Sequence, residues 1–371
     1  MAQVRMSEPI FLGAALALLL AGLGLRLWMY QQPWNTDDLH YIQQALQASG
    51  PVADTHSMRW VLLGVIRFWG LFIGYSLTTF YLAVYTLPVI AWGGILVFCR
   101  VAAGPVETLW VLFLWATSFV FIMTETRLMP DALGTGLALA GLAAVLWAGG
   151  LGRSPVATVS RDGENRGAVF PIALVGGLLL VAAYGARCSF ASFSLAALAL
   201  VPLAPAARRR PLLLGLGSGL AAGLALELAW FWISSGNPLL RIETLLFYPE
   251  QVSDNKLFQG LTWLDLALRY FRLLYNTGSA EIFVFLLGWV GVVAWLVAGG
   301  RRNQALLIIF LINFGVIAFS VVRVDPPVPL LRATERYYVT AAPLFFRAWP
   351  ILLPLLLLGA CGGPDIRTSY T

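Results

Sequence analysis

Residues 10–27 read IFLGAALALLLAGLGLRL, and residues 34–41, WNTDDLHY, follow almost at once. The first segment is close to the roughly 20 helical residues that cross a ~30 Å hydrocarbon core. No small-residue cleavage site precedes Arg26, so we interpret residues 9–29 as a retained membrane span rather than a signal peptide. The second segment places two carboxylates, a histidine and two aromatic rings where the chain leaves the membrane.

The composition is that of a polytopic helical membrane protein. Hydrophobic residues make up 59% of the 371 residues and charged residues only 11%, far from the average of soluble domains. The net charge of +6 does not indicate a nucleic-acid partner, because the basic residues concentrate on one side of the predicted membrane. Cys99, Cys188 and Cys361 are far apart, so we expect no disulfide framework. With no soluble domain visible, residues 1–371 are interpreted as one membrane-embedded domain.

The apolar runs predict an all-α bundle of about ten spans with both termini in the cytoplasm. After the first span, they are residues 77–98, 108–123, 132–148, 168–186, 189–204, 211–233, 282–298, 304–322 and 339–360. Residues 60–75 could form a further span, but the arginines of the later loops would then change sides. We therefore predict an interfacial or re-entrant helix there, in the first outer loop.

The two predicted sides of the membrane differ in character. The cytoplasmic loops are short and rich in arginine, whereas the outer stretches 30–59, 234–280 and 323–338 are longer, and the outer side as a whole carries 12 of the 18 acids. We expect the functional face to be periplasmic or extracellular. Arginine is strongly preferred over lysine, with Lys256 alone, which together with the short loops favours a bacterial inner membrane.

Asp37 and Asp38 are the first candidates for chemistry. They open a predicted amphipathic helix over residues 37–48, with Thr36 as N-cap. Its expected apolar face consists of Leu39, Ile42, Ala45 and Leu46. Acids in a first turn complement the helix dipole and can be ordinary capping residues. A carboxylate at a membrane edge is nevertheless costly to desolvate unless it is used, and it could act as a general base toward an acceptor hydroxyl.

One span, an outer Asp-acidic-x-x-Tyr segment and then a His-x-x-Arg segment resemble GT-C glycosyltransferases. The similarity is to the branch of dolichyl-phosphate-mannose protein mannosyltransferases and aminoarabinose transferases. In that family the first acid of an Asp-Glu-x-x-Tyr motif is the catalytic base. The resemblance implies that Asp37 is the base, Asp38 its acidic neighbour in place of the common glutamate, and Tyr41 the motif tyrosine in the substrate site.

His56 and Arg59 stand where the family often has a His/Lys-Pro-Pro stretch. The prolines are missing here, so the local backbone is expected to differ. In the functional interpretation both side chains contact the phosphate of a lipid-linked donor, for which a guanidinium is well suited. In the alternative, Arg59 extends its charge to the membrane interface and His56 is a loop residue.

Residues 124–131, TETRLMPD, join two predicted spans at the outer mouth, and Pro130 ends or caps a helix there. The family has an acid and a Pro-Asp in the corresponding connection, which implies that Glu125 and Asp131 bind substrate. Asp131 could equally complement the dipole of the next helix. Arg187 resembles a basic residue that meets the donor's phosphate in the family, although a simple loop charge is the alternative.

Arg336 and Tyr337 match an Arg-Tyr that the family often has before its last helices, followed here by Pro343. Arg336 could bind phosphate bidentately, whereas Tyr337 could equally belong to an interfacial aromatic belt. Glu227 is an acid within a predicted span and so a functional candidate by default. We expect an arginine of the outer side to pair with it.

The resemblance implies inverting transfer of a sugar from a polyprenyl-phosphate donor to a glycan, lipid or protein acceptor. The only cofactor that the sequence suggests is a divalent cation, Mg²⁺ or Mn²⁺, held by the two acids and His56; hard-cation sites are not readable from this spacing. Three other hypotheses remain open at this point: a transporter or flippase for a lipid or sugar-lipid, a non-catalytic membrane subunit, and another lipid-linked acyl- or phosphotransferase. Paired broken spans would favour transport, but here the polar residues gather at the outer rim.

Overall fold

The computed structural model describes most of the first 244 residues and several later segments. The described residues are 6–29, 36–46, 58–118, 121–122, 125–152, 166–244, 262–266, 268, 296–297, 300–319, 321–324 and 327–329. The predicted span 339–360 lies outside them, and so does nearly all of 282–298.

The described chain is a bundle of helices, which confirms the predicted all-α membrane architecture. The helices are α1 (Glu8–Trp28), α2 (Thr36–Leu46), α3 (Trp60–Ile73), α4 (Leu77–Ala102), α5 (Pro105–Thr117), α6 (Pro130–Ala148), α7 (Arg166–Ala186), α8 (Ala191–Leu200), α9 (Ala206–Ser235) and α10 (Arg301–Phe319). Short 3₁₀ turns, Cys188–Phe190 and Val201–Leu203, flank α8. The predicted span 304–322 ends earlier, at Phe319. An antiparallel hairpin follows it, β1 (Val321–Val324) with β2 (Pro327–Pro329), in which Val324 lies opposite Pro327.

Among the described residues, five helices are long and apolar enough to cross a membrane: α1, α4, α6, α9 and residues Gly167–Ala186 of α7. Three apolar helices are shorter, namely α3, α5 and the stretch Cys188–Leu203. Proline or glycine sets several boundaries. Pro130 opens α6 at a position where its missing N–H costs nothing. Gly236, at φ 71°, ends α9 in a left-handed conformation that favours glycine.

The five long helices run in both directions, and the two ends of the bundle differ in their charged contacts. We call the end where α4 and α6 begin and α1, α7 and α9 finish the site end. At the opposite, basic end, Arg100 of α4 pairs with Glu8 of α1 at 3.0 Å, and Arg208 of α9 donates to the last carbonyl of α6, Ala148 O, at 3.5 Å.

Glycines let the central helices approach closely. The helices α4, α6, α7 and α9 pack in that order. Gly94 of α4 faces Gly136 of α6 so closely that a Cβ on Gly94 would collide with the Gly136 carbonyl. A Cβ on Gly177 of α7 would lie 2.6 Å from Leu216 O of α9. Small residues at such contacts replace the missing hydrophobic drive between helices in lipid with close van der Waals packing.

The helix α3 lies across the site end. Its first residue, Trp60, contacts Gly185 at the end of α7 and hydrogen-bonds Glu227 of α9, and its last residue leads through Gly74 into the start of α4. Fourteen residues give about 21 Å of helix, which is too short to cross ~30 Å of hydrocarbon. The structure thus agrees with the predicted interfacial helix.

The helix α2 packs against the protein through a face that carries both polar and apolar side chains. Asp38, Tyr41 and Ala45 are buried, whereas Leu39 and Leu46 are 48% and 49% exposed. Of the predicted apolar face Leu39, Ile42, Ala45 and Leu46, only Ala45 is buried, and Ile42 is half-buried.

Candidate functional site

Glu125, in the connection between α5 and α6, forms a buried ion pair with Arg26 near the end of α1. The Arg26 Nε and Nη2 atoms lie 2.6 and 2.5 Å from Glu125 Oε2, and the Trp115 indole N–H donates to Oε1 at 2.9 Å. The Arg26 guanidinium also lies 4.1 Å from the Trp115 ring centroid. Burial raises the pKa of the Glu125 carboxyl above its ordinary value, and Arg26 and Trp115 oppose that rise. This pair fixes the connection against α1 and α5.

The same connection holds the first turn of α2. The backbone N–H of Leu128 donates to Asp38 Oδ1 at 3.2 Å, and Asp38 is only 1% exposed. One turn later the buried Tyr41 ring faces Arg59, whose guanidinium carbon lies 5.1 Å from the ring centroid. The predicted Asp38, Tyr41 and Arg59 therefore belong to one neighbourhood.

Arg67 of α3 fastens the other end of α2. Its Nε and Nη2 atoms donate to the Ala45 and Gln44 carbonyls, both at 3.4 Å. These belong to the last turn of α2, where carbonyls lack helical partners and a cation is favoured. The Arg67 guanidinium also lies 5.1 Å from the Trp230 ring centroid of α9.

Asp131 and Arg187, both predicted as site residues, contact each other directly. Arg187 Nη1 donates to Asp131 Oδ1, and the side chains are 13% and 7% exposed. Asp131 stands in the first turn of α6 and Arg187 just after α7. Among the described residues no group donates to the buried Asp131 Oδ2. The pair thus offers an unsatisfied acceptor beside a cation.

A second buried ion pair joins Glu227 of α9 to Arg241, which lies in the helical turn 240–244 just after α9. Arg241 Nη1 donates to Glu227 Oε2 at 2.8 Å, and the Trp60 indole donates to the same oxygen at 2.9 Å. The Arg241 guanidinium lies 4.2 Å from the Tyr184 ring centroid. The expected arginine partner of Glu227 is therefore present.

Four predicted site positions lie outside the described residues. They are the side chain of Asp37, with only its helical backbone described, and the whole of His56, Arg336 and Tyr337. Of the others, the connection 125–131 brings Asp38, Glu125, Asp131 and Arg187 to one end of the bundle, and Arg59 joins them through Tyr41.

Sequence reasoning missed Arg26 and Arg241 as parts of this region. Both could have been found from charge alone. Arg26 is an ionisable residue inside an apolar run, which favours a specific partner. Arg241, like Arg187, is an arginine on the predicted outer side, against the usual positive-inside distribution.

The described acids do not form a divalent-cation site. Asp38 accepts from the Leu128 N–H, Glu125 is engaged by Arg26 and Trp115, and Asp131 by Arg187. Within the described segments, no three His, Cys, Asp or Glu side chains lie close enough to hold a metal ion.

Long apolar helices with buried charges gathered at one end define a multi-span membrane protein with a polar site. No protein-family model matches the chain, and no curated protein does. Its fold is similar to that of the Archaeoglobus fulgidus oligosaccharyltransferase. The apo crystal structure of that protein gives a TM-score of 0.58 at 12% identity, over 98% of this chain and 53% of the other.

Two further crystal structures of the same oligosaccharyltransferase agree. One, tethered by a disulfide to an acceptor peptide containing the NVT sequon, gives a TM-score of 0.59 at 13% identity, over 98% of this chain and 52% of the other. The other, in complex with Zn and sulfate, gives 0.56 at 14% identity, over 93% and 50%. The chain thus spans about half the length of that protein. At 12–14% identity the likeness shows a shared fold alone, and it does not single out the mannosyltransferase branch.

Proposed function

We propose that this chain is an inverting glycosyltransferase that moves a sugar from a polyprenyl-phosphate donor to an acceptor at the site end. The observation that carries the proposal is the connection 125–131, which joins the acidic turn of α2 to the Asp131–Arg187 pair. A base and a phosphate-binding cation are the two groups that this reaction needs. The fold shared with an oligosaccharyltransferase supports the same class of reaction.

Asp37 is the proposed general base. Its neighbour Asp38 is held by the Leu128 N–H, which fixes the turn that carries both acids. Asp37 takes the proton of the acceptor group as the acceptor attacks the anomeric carbon. The new bond forms on one face of the sugar while the bond to the phosphate oxygen breaks on the other, and the lipid phosphate leaves with the electron pair.

The leaving phosphate gains negative charge, so it needs preorganised cations more than a proton. Arg59, Arg187 and Arg336 are the proposed phosphate ligands. Asp131 orients Arg187, and the Tyr41 ring lies against Arg59. The unsatisfied Asp131 Oδ2 is suited to accept a hydrogen bond from a substrate hydroxyl.

The other predicted site residues take supporting roles. We propose that His56, Tyr337 and Tyr41 contact the donor. For Glu125 we propose a positioning role instead of direct substrate contact, because Arg26 and Trp115 engage both of its oxygens.

We further propose that the protein lies in the plasma membrane, with both termini cytoplasmic and the site end periplasmic or extracellular. Arg100 and Arg208 at the basic end support this orientation. The acceptor is a glycan, a lipid or a protein. The peptide tethered to the oligosaccharyltransferase makes a peptide a sensible acceptor to test.

The test replaces Asp37 with Asn. Mass spectrometry of envelope glycans and glycolipids from cells with and without the chain first identifies the product, whose formation is then assayed. Asp37→Asn is expected to lower transfer by about 10²–10⁴-fold, the usual contribution of a general base, in a folded, inserted protein. The matched control is Glu107→Gln, since Glu107 also lies in a first helical turn but at the basic end. Full activity of Asp37→Asn would exclude the proposed mechanism.

A further inference from the structure

Arg241 donates hydrogen bonds to backbone carbonyls close to Arg59 and to Arg187, the two described arginines of the proposed phosphate site. Its Nη2 donates to the carbonyl of Met58, the residue before Arg59. The same nitrogen lies 3.4 Å from the carbonyl of Gly185, two residues before Arg187. One guanidinium therefore connects two chain segments that are far apart in sequence.

The Arg241 side chain is itself held firmly. It is 2% exposed, Glu227 binds its Nη1, and the Tyr184 ring covers its face. Trp60 fixes the carboxylate of Glu227 through the indole N–H. Because Gly185 lies in the last turn of α7, its carbonyl has no partner within the helix and is available to such a cation.

We infer that Arg241 is a positioning residue that sets Arg59 and Arg187 at the spacing required by the donor's phosphate. Resting on the proposed function, this assigns to the buried Arg241–Glu227 pair a role in donor recognition. Arg241 itself does not touch the donor. It fixes the backbone on either side of the phosphate site, as outer-shell partners fix the ligands of other anion and metal sites.

The test is Arg241→Lys, which keeps the charge for Glu227 but removes the planar fork that reaches two carbonyls. Binding of polyprenyl monophosphate, and of the polyprenol of equal length without phosphate, is measured in detergent micelles. We expect binding of the monophosphate to weaken about tenfold and binding of the polyprenol to stay unchanged. In the transfer assay, KM for the donor rises while KM for the acceptor does not.

Two control variants separate this inference from the function on which it rests. Arg100→Lys makes the same replacement at the basic end and is expected to bind both lipids as the parent does. Arg187→Ala removes a proposed direct ligand and is expected to weaken monophosphate binding more than Arg241→Lys does. Should Arg241→Lys unfold, Trp60→Phe loosens Glu227 more gently and is expected to give a smaller, phosphate-selective loss.

The outcomes are distinguishable. Normal monophosphate binding by Arg241→Lys, with weakened binding by Arg187→Ala, overturns the positioning role and leaves the phosphate site standing. Equal losses for monophosphate and polyprenol also overturn it, because they indicate general damage. Normal monophosphate binding by both Arg59→Ala and Arg187→Ala refutes the proposed phosphate site, and the inference with it.

Discussion

Arg26–Glu125 and Arg241–Glu227 are both buried arginine–glutamate pairs with an indole N–H on the carboxylate. In the first pair Trp115 supplies both the N–H and the ring against the guanidinium. In the second, Trp60 donates the N–H and Tyr184 supplies the ring. The two pairs are therefore chemically alike and lie at the same end of the bundle.

The two pairs differ in the chain segments that they hold in place and in how many of the guanidinium nitrogens have a hydrogen-bond acceptor. Each nitrogen of the Arg26 guanidinium has an acceptor, with Gly22 O at 2.9 Å from Nη1, and the pair anchors the connection that holds Asp38. Arg241 engages acceptors through two nitrogens, while its Nε has no hydrogen-bond partner among the described residues, and it holds the backbone beside the arginines. We therefore expect damage to the first pair to appear mainly in stability and damage to the second mainly in donor binding.

The largest effect on stability is expected from breaking the first pair on one side only. Arg26→Met leaves the Glu125 carboxylate buried without its cation, which typically costs about 3–5 kcal/mol. The double variant Arg26→Met, Glu125→Gln removes both charges and keeps an acceptor for the Trp115 N–H, so it should regain much of that loss. Unfolding by SDS in mixed micelles measures both variants. If Arg26→Met unfolds at the same SDS fraction as the parent, the pair does not anchor the connection.

An intermediate loss of stability, measured by the same SDS unfolding, is expected at the second pair, Arg241–Glu227. Trp60→Phe removes the N–H that reaches the charged Glu227 at 2.9 Å, and hydrogen bonds to charged groups contribute about 1.5–3 kcal/mol. Trp69→Phe is the matched control on the same helix, because its N–H reaches the neutral Thr86 hydroxyl at the same distance. For that variant about 0.5–1.5 kcal/mol is expected. Equal losses of stability in the two variants would show that the hydrogen bond to the charged Glu227 is no stronger than the one to the neutral Thr86 hydroxyl.

Much of the fold could be predicted from the sequence, because span length and loop charge are local properties. The first span, predicted as 9–29, is the helix Glu8–Trp28, and the acidic helix predicted as 37–48 is Thr36–Leu46. The orientation of α2 could not be predicted from its apolar pattern, since Asp38 and Tyr41 are buried whereas Leu39 and Leu46 are exposed.

The candidate site could be predicted only in its parts. Arg187 and acids such as Glu125 and Glu227 were recognisable in the sequence as unusual charges. Which charges pair with each other depends on helix packing across long separations in sequence. Arg26 and Glu125 are 99 residues apart, and Arg241 and Met58 are 183 apart. No local pattern encodes such contacts. What the sequence does offer is the rule that a charge inside an apolar run needs a partner; applied to Arg26 it predicts a buried partner but does not say which acid that is.

The smallest effect on stability is expected at the ion pair between Arg100 and Glu8, which is more exposed than the two buried pairs. Arg100 and Glu8 meet at 3.0 Å at the basic end, but their side chains are 20% and 57% exposed. Exposed pairs gain little because water and salt screen them, typically about 0–1 kcal/mol. Glu8→Gln should therefore shift SDS unfolding by less than Trp69→Phe does, and the small shift should shrink further at high ionic strength. A loss as large as that of Arg26→Met would mean that burial of the charges does not determine how much an ion pair contributes to the stability of this protein.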